Sequence, residues 1–386
     1  MSSTPTFPTP SVTRPLQPAL SPQSWPFSLT FLPPQAYLVG GTVRDALLQR
    51  QADYLDLDFV LPEKALETAE RIAQAYGAGF VVLNREYQIA RVVFPKATVD
   101  FAQQIGSNIV IDLQRRDFTV NAIAYNPHSE TLVDPLNGYA DLQRHTLCMV
   151  SEENLREDPL RLLRAYRQAA QLGFQLDPAT QTALRRLAPQ LKTVAAERVR
   201  SELDCLLGLA AGSPFLTMAW QDGLLNNWLP TVTPENLSKL PLLDHLAAQV
   251  DQHQPTYASL LHSWVKEPPT PGLHRSWLKL TKLCQLLDGP LAIAEATLGG
   301  LKYSRLEQQG VLAMIKGWHY LKQQTYPLSP TQSYSLFKQA GSSFVGIPLL
   351  AWAHDLPRLW LKPFSATISI PKMPLPIPAP WYLAAI

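Results

Sequence analysis

The chain has 386 residues, 46% of them hydrophobic and 17% charged, a balance that suits two or more folded domains. Its net charge of only +2 supplies no whole-molecule field for nucleic acid, so any such binding must rest on local basic patches. No apolar run is long enough to cross a bilayer, and the widely spaced Cys148, Cys205 and Cys284 fit neither a disulfide framework nor a zinc site, so the expected setting is cytoplasmic.

Residues 1–34 are rich in proline, serine and threonine, with no acidic residue and Arg14 as their one arginine. That composition predicts a disordered tail, since it is neither arginine-rich nor amphipathic like a transit peptide. Residues 35–147 read as an α+β head. A strand at 37–39 runs into Gly40-Gly41, and 42–50 follow as a helix with Val43, Ala46 and Leu47 on its buried face. Residues 56–60 alternate, with Asp56, Asp58 and Val60 on one face and Leu57 and Phe59 on the other. Pro62 ends this strand; a helix over 64–76 and strands over 80–83, 89–94 and 98–101 complete a small mixed sheet. Beyond that the patterns are helical: a neck at 148–210, a body and tail at 211–361, and a proline-rich extended end at 362–386.

Asp56 and Asp58 share a strand face, which places their carboxylates about 6 to 7 Å apart. Two such acids either face solvent or hold a hard divalent cation such as Mg²⁺ together with substrate phosphates. Gly40-Gly41 opening a helix, with Arg44 one turn in, makes an anion cradle, although a plain tight turn accounts for the glycines equally well. Arg115-Arg116-Asp117 puts cations at the polar start of an apolar segment, where an anionic ligand or an Arg116–Asp117 ion pair explains them. Asp158, Arg161, Arg164 and Arg167 recur every three residues along a helix whose buried stripe is Leu162, Leu163 and Tyr166; Asp158 also suits a helix cap before Pro159. Arg185, Arg186, Lys192, Arg198 and Arg200 form a second basic cluster, a candidate RNA-phosphate surface.

Five ordered stretches, LVGGTVRDALL (38–48), the DLD at 56–58, QRRDFTVNAIA (114–124), DPLNGYADL (134–142) and EDPLRLLRAYR (157–167), resemble class II tRNA nucleotidyltransferases, the CCA-adding enzymes grouped with bacterial poly(A) polymerases. The resemblance spans roughly residues 36–205. It implies a polymerase-β-like head followed by an all-helical neck, body and tail that hold tRNA. It also implies Mg²⁺ on Asp56 and Asp58, with Asp100 as a candidate third carboxylate. Gly41, Arg44, Arg116, Arg164 and Arg167 would bind the incoming CTP or ATP. Asp158, which only accepts hydrogen bonds, and Arg161, which only donates, would together suit the amino group and ring nitrogen shared by C and A.

Members that build the whole CCA carry a long flexible loop before the R-R-D stretch, whereas here only residues 103–111 separate Ala102 from Asp112. That shortening resembles the CC-adding subset, which leaves the final A to a separate A-adding enzyme. The alternatives are A addition or poly(A) synthesis on the same fold, and a non-catalytic RNA-binding protein. The family's usual glycine after the first helix is missing, and the extra residues 49–54 before the acids are expected to form a harmless loop.

Overall fold

The computed structural model describes residues 18–50, 54–263 and 276–356. The chain divides into two compact units, one running to Val194 with Ala219–Leu224 added, the other comprising Ala195–Met218 and the chain from Leu225. The division falls inside the segment expected to form one neck.

The first unit is built on seven strands in the order β3-β4-β5-β2-β1-β6-β7. These are β1 (Tyr37–Val39), β2 (Leu55–Leu61), β3 (Gly79–Asn84), β4 (Ile89–Phe94), β5 (Ala97–Gln103), β6 (Ala124–Asn126) and β7 (Thr131–Val133). Only the β2–β5 pair is parallel. The helices are α1 (Gly41–Leu47), α2 (Ala65–Tyr76), α3 (Ile109–Leu113), α4 (Gly138–Gln143), α5 (Glu152–Glu157), α6 (Leu160–Leu172) and α7 (Pro178–Leu187). A two-strand parallel pair, β8 (Thr146–Leu147) with β9 (Gln175–Leu176), brackets α5 and α6.

The alternation in β2 decides what lies on each side of the sheet. Leu57, Phe59 and Leu61 are fully buried on the back. On the front, Val60 packs with Val39, Ile109, Leu113, Ala122 and Ala124, leaving the two aspartates beyond this core. The stretch around residues 134–141 is structural. Asp134 accepts from the N–H groups of Gly138 and Tyr139 at 2.8 and 2.9 Å, and Asp141 accepts from the Thr119 hydroxyl.

The expectation of a disordered tail over 1–34 needs correcting for the described part. Residues 18–34 form a strap of short 3-10 turns laid on the back of the sheet, with Leu20, Trp25, Phe27 and Leu32 buried. Trp25 meets Phe59 edge-on with ring centroids 5.1 Å apart, and Phe27 lies 5.9 Å from both Phe59 and Phe101. The Ser28 N–H donates to the Tyr76 hydroxyl, and Asn126 Nδ2 to the Pro34 carbonyl. Composition argues against folding only when a segment must supply its own core; these aromatics borrow one from β2 and β5. Residues 1–17 and the proline-rich end from 362 lie outside the described residues.

The second unit is helical: α8 (Ala196–Gly208), most of α9 (Gly212–Gln221), α10 (Pro234–Ser238), α11 (Leu240–His253), α12 (Pro255–His262), α13 (Trp277–Leu286), α14 (Leu291–Gly300), α15 (Arg305–Lys322), α16 (Pro330–Ala340) and α17 (Ile347–Ala353). Two buried lysines of α13 tie it together. Lys279 Nζ reaches Asp204 at 3.0 Å and Glu307 at 3.1 Å, while Lys282 pairs with Asp244 and donates to the carbonyls of Leu207 and Leu209. No helix among the described residues is long and apolar enough to cross a membrane. All three cysteines are free thiols.

Candidate active site

β1 ends at Val39, and Gly40 turns the chain into α1 with a φ of +74°, in the region that favours glycine. A side chain would also be crowded there, since an added Cβ would stand 3.4 Å from Asp58 Oδ2 and 3.5 Å from Arg116 Nη1. Asp58 is the register partner of Val39, which brings its carboxylate to the glycine turn. Asp56 lies one strand period further along, exposed, and accepts a 2.5 Å hydrogen bond from Thr98 Oγ1. The Thr42 hydroxyl donates to the Asp56 carbonyl and so ties α1 to β2.

Burial, then the charges of Asp56 and Asp100, push the half-buried Asp58 carboxyl up to about 7, against the pull of Arg116 and Arg91. This is a pair of oxygen donors with more negative charge than its surroundings offset, a fit for a hard divalent cation. Among the described residues no group of three or more acids, histidines or cysteines is placed to hold a metal. The donor set therefore matches a cation held by two carboxylates and completed by substrate oxygens.

Asp100, the expected third carboxylate, is register partner to Asp58 across β2 and β5. However, its oxygens receive Arg91 Nε and Nη2 at 2.7 and 2.8 Å, because Arg91 is in turn its partner on β4. The bidentate ion pair gives each oxygen one partner and leaves each a further lone pair, so Asp100 stands beside the aspartate pair with its charge already matched.

Gly41 sits beside Arg44, which is buried and forked onto Asp45 at 2.9 Å through both Nε and Nη2. Its Nη1 donates to Asn121 Oδ1 at 2.8 Å. Arg116 pairs with Asp112 at 3.3 Å rather than with Asp117. Asp117 instead takes Arg164 at 3.3 Å and accepts from Asn121 Nδ2 and Gln168 Nε2. Arg167 donates to Gln171 Oε1. A cavity of about 600 Å³ collects these groups, lined by Gly40, Gly41, Arg44, Asp56, Asp58, Arg116, Arg164 and Arg167.

Sequence reasoning missed Asn121, Gln168, Arg50 and Tyr54, which also line the cavity. Asn121 lies within the matched 114–124 stretch, but only the fold reveals that it bridges Arg44 to Asp117. Asp158 and Arg161 are outside the lining. Arg161 Nη1 donates to the carbonyls of Arg115 and Asn154 at 3.0 and 2.9 Å, and Asp158 Oδ1 accepts from the Leu160 N–H.

The second basic cluster divides between the units. In the first, Arg185 pairs with Asp222 at 2.5 Å, Arg186 with Glu152, and Lys192 is exposed. Arg198 and Arg200 belong to the second, where the Arg200 guanidinium donates to the Lys302 carbonyl and lies 5.7 Å from the centroid of the Tyr303 ring.

A mixed sheet whose paired aspartates face a glycine-led helix start and a row of arginines defines a nucleotidyltransferase head. Residues 36–148 match the poly A polymerase head domain, and residues 173–236 match a probable RNA and SrmB-binding site of polymerase A. The chain is 49% identical over 334 residues to a CC-adding tRNA nucleotidyltransferase of Synechocystis sp. (strain ATCC 27184 / PCC 6803 / Kazusa), covering 86% of this chain and 78% of that protein. It is 44% identical over 204 residues to an A-adding tRNA nucleotidyltransferase of Deinococcus radiodurans, covering 51% of this chain and 46% of that one. A solved tRNA-processing enzyme with CTP superposes with a TM-score of 0.70 at 23% identity, over 87% of this chain and 90% of its own. A tRNA nucleotidyltransferase complexed with a primer tRNA and an incoming ATP analog gives 0.66 at 23% identity, over 86% and 95%. At that identity the structures establish the fold. The chain belongs to the tRNA nucleotidyltransferase family.

Proposed function

We propose that this chain adds cytidylate residues to the 3′ end of tRNA without a nucleic-acid template, stopping at CC. The observation that carries this reading is the cavity, which gathers a carboxylate pair, a phosphate cradle and arginines on one face of the sheet. Asp56 and Asp58 hold Mg²⁺, whose bound form supplies the Lewis acid for attack by the tRNA 3′-hydroxyl on the nucleotide α-phosphate. A bond forms from the 3′-oxygen to that phosphorus, the hydroxyl proton is released to solvent, the phosphorus bond to the bridging oxygen breaks, and pyrophosphate leaves with the electron pair. The backbone of Gly40-Gly41 and the side chains of Arg44, Arg116, Arg164 and Arg167 bind phosphates and sugar. Asp158 and Arg161 choose the base, with Arg161 held by two backbone carbonyls through one nitrogen and its other donors left for the ligand.

Stopping at CC is supported by the relative's name and by the link between β5 and α3. Residues 104–108 are bonded tightly: Gln104 N–H to the Leu61 carbonyl at 2.7 Å, and Ile105 N–H to Asp112 Oδ1 at 3.1 Å. Gly106, at φ +83°, packs against Ile111. A segment this short and bonded has no slack to reorganise for a third nucleotide.

The test is sequencing of product ends made from tRNA lacking CCA, with Mg²⁺, CTP and ATP together. Ends in CC are expected. Ends in CCA overturn the CC assignment, A added only to tRNA ending in CC supports the A-adding alternative, and no incorporation of either nucleotide sinks the enzymatic reading.

A further inference from the structure

Arg50, in the stretch expected to be a harmless loop, brings a cation to the cavity wall. α1 ends in a paired closing turn: the Gln49 N–H donates to the Ala46 carbonyl at 3.1 Å and the Arg50 N–H to the Asp45 carbonyl at 2.9 Å, with Gln49 in the left-handed region at φ +58°. This pattern fixes the backbone of the residue that follows the left-handed position, here Arg50. The side chain is fixed as well. Arg50 Nη1 donates to the Gln171 carbonyl at 3.2 Å and Nη2 to the Leu172 carbonyl at 2.9 Å, at the C-terminal end of α6.

Two of the five guanidinium donors are so used, and three remain on an exposed side chain that lines the cavity. Capping a helix C-terminus explains the two carbonyl contacts but not the position at the cavity wall. Charge accounting separates Arg50 from Arg44, Arg116 and Arg164. Arg44 is matched by Asp45, Arg116 by Asp112 and Arg164 by Asp117. Arg50 has no carboxylate within ion-pair distance among the described residues. The cavity thus holds surplus negative charge at Asp56 and Asp58, and surplus positive charge at Arg50.

We infer that Arg50 binds the terminal phosphates of the incoming nucleoside triphosphate, and the pyrophosphate they become. A triphosphate whose α-phosphate lies at a carboxylate-held cation needs a donor for its far end, and a rigid guanidinium with three free N–H groups is suited to phosphate oxygens. This rests on the nucleotidyltransferase reading above.

Arg50→Ala and Arg50→Lys are compared with the unaltered full-length chain, using tRNA lacking CCA and varied CTP. For Arg50→Ala the KM for CTP is expected to rise about tenfold and inhibition by pyrophosphate to weaken about tenfold, with the KM for tRNA unchanged. Arg50→Lys, which keeps the charge but not the fork, should fall between, about threefold on both. A second readout needs no turnover: pyrophosphate with Mg²⁺ should protect the unaltered chain against heat and protect Arg50→Ala far less. Unchanged CTP and pyrophosphate constants in Arg50→Ala, or lower heat stability and kcat with those constants intact, would overturn the inference and leave Arg50 a helix cap only. Should Arg50→Ala not fold, an Arg50→Lys protein indistinguishable from the unaltered chain overturns it equally. Failure of the unaltered chain to incorporate any nucleotide counts instead against the parent reading, since heat protection by pyrophosphate is scored separately.

Discussion

In the helical unit Lys279 is 1% exposed and meets both Asp204 and Glu307, and Lys282 is equally buried on Asp244. In the sheet unit Asp56 and Asp58 stand side by side with no lysine or arginine among the described residues bonded to either, while the cations nearby are turned onto other acids or toward the cavity. The residue types are the same and the outcomes differ. A charge closed by an opposite charge in the interior serves folding, because either partner alone would be left buried and unpaired. A charge left open at a cavity destabilises the empty protein and is offset only when a ligand arrives.

The sharpest way to break that contrast is to remove the open charges. Asp56→Ala and Asp58→Ala should each lower CMP incorporation by about 10³-fold while heat stability is kept; a folded but still active variant ends the assignment of these acids to the metal. The closed charges should respond in reverse. Lys279→Ala should cost about 3–5 kcal/mol in denaturant unfolding, and a loss under about 1 kcal/mol would mean the pair behaves like an exposed one.

A pH titration sharpens the comparison further. The Asp58 carboxyl is raised in the fold from 3.8 to about 7, so the stability tied to its protonated form is present at low pH and is lost as pH rises across that interval. Relative to Asp58→Asn, the metal-free chain should therefore show a falling Tm over that window. Mg²⁺ should stabilise the unaltered chain more at pH 8 than at pH 6, since below about 7 the metal must displace a proton. A constant Tm difference between the two proteins from acid to neutral pH refutes this. The smallest effect concerns Gln49, whose left-handed backbone suits glycine: Gln49→Gly should stabilise by roughly 0.5–1 kcal/mol with the CTP constants unchanged, as the closing turn survives. Destabilisation there would show that the Gln49 side chain supplies something beyond its backbone.

The parts of this molecule that periodicity governs were readable from the sequence. The two-residue alternation placed Leu57 and Phe59 behind the sheet and both aspartates in front, and the helical stripe of Leu162, Leu163 and Tyr166 is fully buried. What escaped depends on partners distant along the chain. Asp100 shows no partner in the sequence until the β4–β5 register sets Arg91 beside it. Arg185 and Arg186 gain partners in Asp222 and Glu152 that no local pattern shows. Short β6 and β7 carry too few residues to show an alternation, and the strap hides its aromatics among prolines. A residue absent from its usual place also held information: the missing glycine after α1 is a Gln49 obliged to adopt the glycine conformation.

The strap also sets an order of events on the ribosome. Trp25 and Phe27 emerge early, yet the rings that cover them, Phe59 and Phe101, belong to β2 and β5, which are made later. Until β5 has left the exit tunnel, Phe27 has only part of its native packing. The nascent chain therefore carries incompletely covered aromatic surface through the synthesis of most of the head, and this earlier-made stretch gains its full cover only after both strands exist.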